Sequence, residues 1–209
     1  MKLDAVFAAD GPLSRVLKDW EPRAQQEAMS AAVARALDGT ESLVVEAGTG
    51  VGKSLAYLLP AALWAARNAR RVVVSTHTRA LQEQLINGDL PIVTRVLREL
   101  GLPLKTAMLM GSDNYLCVQR LSRLRAQPTL LPAAQDEVLA RLDEWAKDAQ
   151  TGHRSALPVD VPQTLWEKLA RDTDICLGPA GPYWERCLWR RDRERCEKAQ
   201  IVVVNHALL

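Results

Sequence analysis

The stretch Glu46-Ala47-Gly48-Thr49-Gly50-Val51-Gly52-Lys53-Ser54 contains the residue types that grip a phosphate chain. Glycines at alternate positions let the backbone bend with its N–H groups turned inward, toward phosphate oxygens. A helix that opens at the end of such a loop adds its positive N-terminus. Lys53 is placed to reach the β- and γ-phosphates, and the Ser54 hydroxyl to hold Mg²⁺. Ala47, Gly48, Thr49, Gly50, Val51, Gly52, Lys53 and Ser54 therefore form a candidate ATP site, with Lys53 and Ser54 as its catalytic pair. The plain alternative is a glycine-rich turn that binds nothing. The length of the match and its context weigh against that.

Cysteine is the second residue type here with chemistry to offer. Cys117, Cys176, Cys187 and Cys196 are separated by 58, 10 and 8 residues. Four thiols can complete a Cys₄ site. Structural zinc sites usually show close Cys-x₂₋₄-Cys pairs, and this sequence has none. A cluster held by dispersed cysteines fits better, and ordinary burial of thiols is the bland reading. One helix over 187–196 would put Cys187 and Cys196 about two and a half turns apart, on opposite faces. Joint ligation then requires a break in that helix.

The elements that must position these groups are legible as patterns. Leu43-Val44-Val45 reads as a strand entering the loop. Apolar residues at 55, 58, 59, 62, 63 and 66 give a helix after it. Before the loop, residues 1–19 form a short lead-in. A helix follows Pro22, with apolar positions at 29, 32, 33, 36 and 37, and Asp38-Gly39 ends it. Arg23 and Gln26 sit about one turn apart on it.

Arg71–Thr76 is a second strand of the buried, β-branched kind expected in a parallel sheet. Thr76 and Thr78 then either cap the next helix or hold a nucleic-acid phosphate at its start, and the two roles are compatible. Arg79 and Gln82 follow on that helix. A further amphipathic helix starts at Asp89-Leu90-Pro91 and ends at Gly101, and Leu104–Met110 is a third strand. Alternating strands and helices predict an α/β fold, a doubly wound parallel sheet of the RecA type with ATP at its carboxyl ends.

Residues 112–199 break the pattern. They carry short amphipathic helices near 134–147 and 163–171 and all four cysteines. Ile201–Val204 then reads as a buried strand again. The expected organisation is a first RecA-like segment over 1–111, an inserted helical domain over 112–199, and a return to the first domain over 200–209.

The chain has 209 residues, 48% hydrophobic and 25% charged, enough for a packed core. A net charge of +2 argues neither for nor against nucleic acid. No apolar run reaches membrane-spanning length and the N-terminus lacks a signal-peptide core, so a cytoplasmic protein without a membrane partner is expected. Arg186, Arg190, Arg191, Arg193 and Arg195 interleave with Trp184 and Trp189. That mixture suits single-stranded DNA by phosphate pairing and base stacking, or else a salt-bridged surface helix. Arg190 and Arg191 are the candidate DNA contacts taken from it.

Several segments together resemble the XPD/DinG family of iron–sulfur superfamily 2 DNA helicases. They are the Ala-first phosphate loop, Arg23 and Gln26, Thr76–Leu85, Asp89-Leu90-Pro91, Gly111–Cys117 with its Asn-Tyr-Leu-Cys, and Val203–Leu209 with its Val-Asn-His-Ala-Leu-Leu. Bacterial DinG-like proteins are the nearest branch. The resemblance implies an ATP-dependent DNA helicase translocating 5′ to 3′ on single-stranded or forked DNA. It implies ATP, Mg²⁺ and a [4Fe–4S] cluster as cofactors, the last in a domain inserted in the first motor domain. In such helicases the Arg–x–x–Gln element contacts adenine, and the segment holding Thr76, Thr78, Arg79 and Gln82 contacts the single strand. The resemblance matches three cluster ligands, Cys117, Cys176 and Cys187, which makes Cys196 the expected fourth ligand.

One departure stands out. DinG-like relatives often read Cys-Leu-Gly-x-x-Cys where this chain has Cys176-Leu177-Gly178-Pro179-Ala180-Gly181. No apolar strand ending in Asp-Glu follows the loop, so an N-terminal part of a longer, monomeric helicase is expected. The competing function is a non-motor nucleotide- and DNA-binding module with a vestigial cluster domain. A nucleotide kinase leaves the Asn-Tyr-Leu-Cys and Asn-His segments unexplained.

Overall fold

The computed structural model describes residues 3–39, 41–48, 50–127 and 133–209. Thr49 of the phosphate loop lies outside them. Two compact units divide the chain: residues through Met108 with Lys198–Ala207, and Leu109–Glu197.

The first unit opens with two short helices, α1 (Asp4–Phe7) and α2 (Pro12–Val16). The longer α3 (Ala24–Asp38) follows, and its last turn closes with the Gly39 N–H on the Arg35 carbonyl. The phosphate loop leads into α4 (Lys53–Asn68), then β1 (Val72–Thr76) and α5 (Arg79–Gln84). From α5 the helix continues through one π turn, Leu85–Asp89, into α6 (Leu90–Glu99). β2 (Thr106–Leu109) and β3 (Ile201–Asn205) complete a three-stranded sheet in the order β1-β3-β2. β1 and β3 run parallel, Val72 opposite Ile201 through Thr76 opposite Asn205. Ile201 to Val204 are all buried, as a central parallel strand covered on both faces requires. Leu58, Leu59, Ala62 and Leu63 of α4 meet Leu90, Val93, Val96 and Leu97 of α6 in one core with Ile201 and Val203.

Two sequence expectations are corrected here. Leu43-Val44-Val45 forms no strand: residues 41–48 have no regular structure and Val44 is 95% exposed. Strand formation depends on pairing more than on local preference, and among the described residues no strand pairs with this run. The helix expected to begin at Asp89 instead begins ten residues earlier, at Arg79, because the π turn carries the chain through Asn87-Gly88 without a break.

The second unit is helical: α7 (Val118–Arg125), α8 (Ala133–Asp148), α9 (Gln163–Leu169) and α10 (Leu188–Lys198). Leu116, Leu121, Leu139, Leu142, Leu165, Leu169 and Leu188 fill its core. Arg120 ties α7 to the end of α9 by donating to the carbonyls of Glu167, Lys168 and Ala170, each at 2.8 Å. That satisfies orphan acceptors at a helix C-terminus with a cation, which the helix dipole favours. Among the described residues no helix is long and apolar enough to cross a membrane.

Leu97 is fully buried in the core that α6 shares with α4, whereas Leu81 on α5 is 46% exposed. Leu97→Ala is expected to lower the unfolding free energy by about 2–5 kcal/mol. Leu81→Ala should change it by about 0.5 kcal/mol or less. Denaturant melts of the two variants check both.

Candidate functional site

The phosphate loop is held from one side by α3. Arg23 Nη1 donates to the Gly50 carbonyl at 2.7 Å, and Gln26 Nε2 to the Gly52 carbonyl at 2.9 Å. Lys53 Nζ folds back on the loop, donating to the carbonyls of Ala47 at 2.9 Å and Gly48 at 2.7 Å. Gly50 and Gly52 both have positive φ, +81° and +76°, the left-handed conformation that glycine adopts without steric cost. Among the described residues a side chain at Gly48 or Gly50 would meet nothing within 4 Å. A cradle, an ammonium within it and the N-terminus of α4 below it match the donor set that triphosphate needs.

Two groups lie beside Ser54. Tyr57, one turn along α4, and Asp89, the last residue of the π turn, both feel its hydroxyl. Burial holds the Asp89 carboxyl above its ordinary range, against the lowering effect of that hydroxyl. Burial and the nearby Asp89 charge raise the Tyr57 phenol. Asp89, part of the Asp89-Leu90-Pro91 segment, is brought by the fold to the neighbourhood of Ser54. The sequence marks it as a helix start, and its neighbourhood to Ser54 is invisible there.

Residues expected to contact DNA divide. Thr78 accepts the Leu81 N–H and caps α5, and Arg79 is exposed beside it. Thr76 is buried and donates to the Thr78 carbonyl at 3.1 Å, and Gln82 is fully buried. At the carboxyl ends of β1 and β3, Asn205 donates to the His77 carbonyl at 2.9 Å and Ser75 Oγ meets His206 Nδ1 at 2.5 Å. Arg190 lies 5.2 Å over the Trp184 ring and bonds Glu185 at 3.0 Å and Glu194 at 2.6 Å. Arg191 reaches the Ala149 carbonyl at 3.5 Å.

Three of the cysteines line one pocket. Cys117 stands immediately before α7 and Cys187 immediately before α10, and Cys176 comes from the intervening loop. Burial raises the Cys187 thiol. The Arg190 backbone N–H and the Arg171 charge oppose that rise, and Cys117 and Cys176 add to it. Arg171 lines the same pocket, and its Nε and Nη1 are buried with no hydrogen-bond partner among the described residues. Cys196 does not join them. α10 is unbroken from Leu188 to Lys198, so Cys196 is carried to another face, where it is buried. There it adds to the field on Tyr115, whose phenol is raised by burial first, then by Asp192 and Cys196. Among the described residues no set of three or more His, Cys, Asp or Glu side chains is close enough to hold a metal ion.

A phosphate loop between a bracing helix and a parallel sheet defines a nucleoside-triphosphate-binding protein of the P-loop class. Residues 23–127 match the DEAD/DEAH box helicase family model, and the chain belongs to that family. It is 36% identical over 203 residues to the "ATP-dependent DNA helicase YoaA" of Escherichia coli, covering 97% of this chain and 31% of that protein. It is 40% identical over 202 residues to the "ATP-dependent helicase DinG" of Mycobacterium tuberculosis, covering 90% and 30%. With the "ATP-dependent DNA helicase DinG" of Escherichia coli it shares 34% over 214 residues, covering 94% and 29%. The chain thus spans about a third of the length of the curated relatives it matches.

A Cβ at Gly52 would lie 2.4 Å from Gln26 Nε2 on a backbone at φ +76°. Gly52→Ala is expected to cost about 1–2 kcal/mol for the left-handed conformation alone. It should also weaken nucleotide binding by displacing Gln26. Calorimetric titration with ATP, alongside a thermal melt, separates the two effects.

Proposed function

We propose that this chain is the N-terminal part of an ATP-dependent DNA helicase of the DinG type. The observation that carries the reading is the braced loop: Arg23 and Gln26 on Gly50 and Gly52, with Lys53 across Ala47 and Gly48. Lys53 exchanges loop carbonyls for the β- and γ-phosphates when nucleotide enters. Arg23 and Gln26, already at the loop, are in reach of a bound nucleotide and report its presence to α3. Ser54 would hold Mg²⁺, which neutralises charge developing on the transferred phosphoryl group. The sheet and the inserted helices belong, in this reading, to a RecA-like first motor domain and a cluster domain spanning 112–199. DNA runs past the carboxyl ends of β1 and β3, where Thr78 and Arg79 are exposed at the start of α5.

The cysteine pocket supports a [4Fe–4S] cluster held by Cys117, Cys176 and Cys187. Two of these thiols stand at helix N-termini, which favour anionic ligands. The buried, unbonded nitrogens of Arg171 give an anionic cluster its donors. A cluster is wider than one ion and spans thiols too far apart to hold a single metal. Cys196 is not its fourth ligand in this arrangement, and the group would supply structural cross-linking between α7, α10 and the loop that joins them.

Two outcomes test the reading. Lys53→Ala is expected to abolish ATP-driven unwinding of a 5′-tailed duplex while leaving the fold intact by circular dichroism. Efficient unwinding only from a 3′ tail would contradict the assigned polarity. Anaerobically purified protein should absorb near 400 nm and contain about four irons per chain. That iron should persist in Cys196→Ser and be lost in Cys187→Ser. Iron-free wild type would remove the cluster and favour the non-motor module.

A further inference from the structure

The cysteine pocket of the helical unit is one thiol short of a Cys₄ site. Besides Cys117, Cys176 and Cys187, the polar side chains that line it are Gln119, Arg171 and Tyr183, with Trp184 beside them. The chain has four cysteines in all, and the last is carried elsewhere. α10 runs unbroken from Leu188 to Lys198, and the Arg191 N–H closes its first turn on the Cys187 carbonyl at 3.1 Å. Nine residues of helix put Cys196 about 13 Å farther along the axis than Cys187, and Cys196 is buried there outside the pocket lining.

The other polar lining groups are poor substitutes for a thiolate. Arg171 has no lone pair to give, and its buried, unbonded Nε and Nη1 can only donate. The Tyr183 hydroxyl is engaged with Ser122 Oγ at 2.6 Å. Gln119 offers a neutral amide oxygen, whereas soft thiolates are what hold iron–sulfur clusters. Gly181 also lines the pocket and brings no side chain to it. Its backbone is ordinary, φ −84° and ψ 142°, a conformation open to any residue. A Cβ built on it would stand 3.2 Å from Leu177 Cβ, 3.3 Å from the Gly178 carbonyl oxygen and 3.5 Å from Gln119 Oε1, which asks a few tenths of an ångström of those neighbours. Backbone strain therefore does not require a glycine here, and a donor at 181 would enter the pocket of the three thiols.

We propose that three protein thiolates alone hold the cluster, so that one of its irons takes an exchangeable ligand from solution and is labile. This inference rests on the cluster reading above. Cys117, Cys176 and Cys187 account for three irons of a [4Fe–4S] core. The fourth is left with a weak oxygen ligand, water, which a small thiol can replace. On oxidation the [4Fe–4S]²⁺ core gives one electron to the oxidant and one Fe²⁺ to solution, leaving [3Fe–4S]⁺ with all four sulfides on the same three cysteines. The pocket thereby responds to oxidant and to ferrous iron while α7 and α10 stay cross-linked.

Anaerobically purified protein is titrated with ferricyanide as the oxidant. Iron per chain and the electron paramagnetic resonance spectrum are recorded for wild type, Gly181→Cys, Gly181→Ala and Cys196→Ser. Wild type is expected to fall from about four irons to about three, to show the signal of a three-iron cluster, and to regain the fourth from ferrous iron and dithionite. Gly181→Cys supplies a fourth thiol and should keep all its iron at the same dose. Gly181→Ala adds the same Cβ without a donor and should lose iron as wild type does, and so should Cys196→Ser. Wild type that is iron-free before oxidation removes the cluster reading and the proposal with it. With the cluster present, wild type that keeps four irons overturns the proposal alone. So does a Gly181→Cys that loses the fourth iron as readily as wild type, a Gly181→Ala that protects as well as Gly181→Cys, or a Cys196→Ser that loses more than one iron.

Discussion

The left-handed turn at Gly52 is the constraint on which the nucleotide half of this molecule depends. It lets the chain leave the loop and enter α4 at Lys53 without a side chain striking Gln26, which already occupies that space. The loop's carbonyls are then taken by side chains: Gly52 by Gln26, Gly50 by Arg23, Ala47 and Gly48 by Lys53. Because a peptide is planar and trans, holding a carbonyl on one side turns the N–H of the same peptide to the other. Arg23 just before α3 and Gln26 within it thus orient the loop's donors before any phosphate arrives. A preorganised cradle costs no reorganisation when charge develops on the ligand.

In the helical unit a buried polar network plays the corresponding part. Tyr115 is fully buried, and its hydroxyl meets His153 Nε2 at 2.7 Å and the Met110 N–H at 3.4 Å. Asp192 on α10 accepts from Thr151 at 2.5 Å and from Arg195 at 2.8 Å and lies 3.3 Å from His153. A buried network of this kind stabilises only when its members are satisfied together, and it then fixes one packing. It sets the roll of α10. With Asp192 and Cys196 turned toward Tyr115, Leu188 enters the core and Cys187, at the helix start, is left facing the pocket of Cys117 and Cys176. The separation of Cys196 from the other thiols follows from the same rotation.

What the sequence made legible was whatever depends on local chemistry. The glycine-rich loop, the helices after it and over 133–148, and the buried β3 follow from spacing and from β-branched runs. What it concealed depends on distant partners. Leu43-Val44-Val45 has the composition of a strand, yet pairing decides a strand, and Val44 is 95% exposed. Asn87-Gly88 looks like a helix break, yet packing of Leu85 and Leu90 against α4 carries the helix across as a π turn. Arg23 and Gln26 could be placed on one helical face but not aimed at particular carbonyls. Asp89 could not be connected to Ser54 at all, because 34 intervening residues separate them. Cys196 was a matter of helical phase, and the alternative that needed a break in α10 failed because nothing interrupts that helix.

The arginines of α10 show why composition is a poor guide to a binding surface. A stretch with five arginines and two tryptophans among residues 184–195 reads as a strand-binding patch. In the fold most of that charge is answered locally. Arg190 sits between Glu185, Glu194 and the Trp184 ring, Arg193 reaches Glu197 at 3.7 Å, and Arg195 bonds Asp192. Trp189 is contacted by Arg171 at 4.0 Å and Arg193 at 5.5 Å from its ring centre, so side chains of this chain already pack on the ring. A phosphate backbone would have to displace those carboxylates, and a base would have to displace a guanidinium, each at a cost comparable to what it gains. Attraction for a strand is therefore better sought where a cation is exposed without an internal carboxylate. Among the described residues Arg79, beside the Thr78 cap that follows β1, is exposed and in no ion pair.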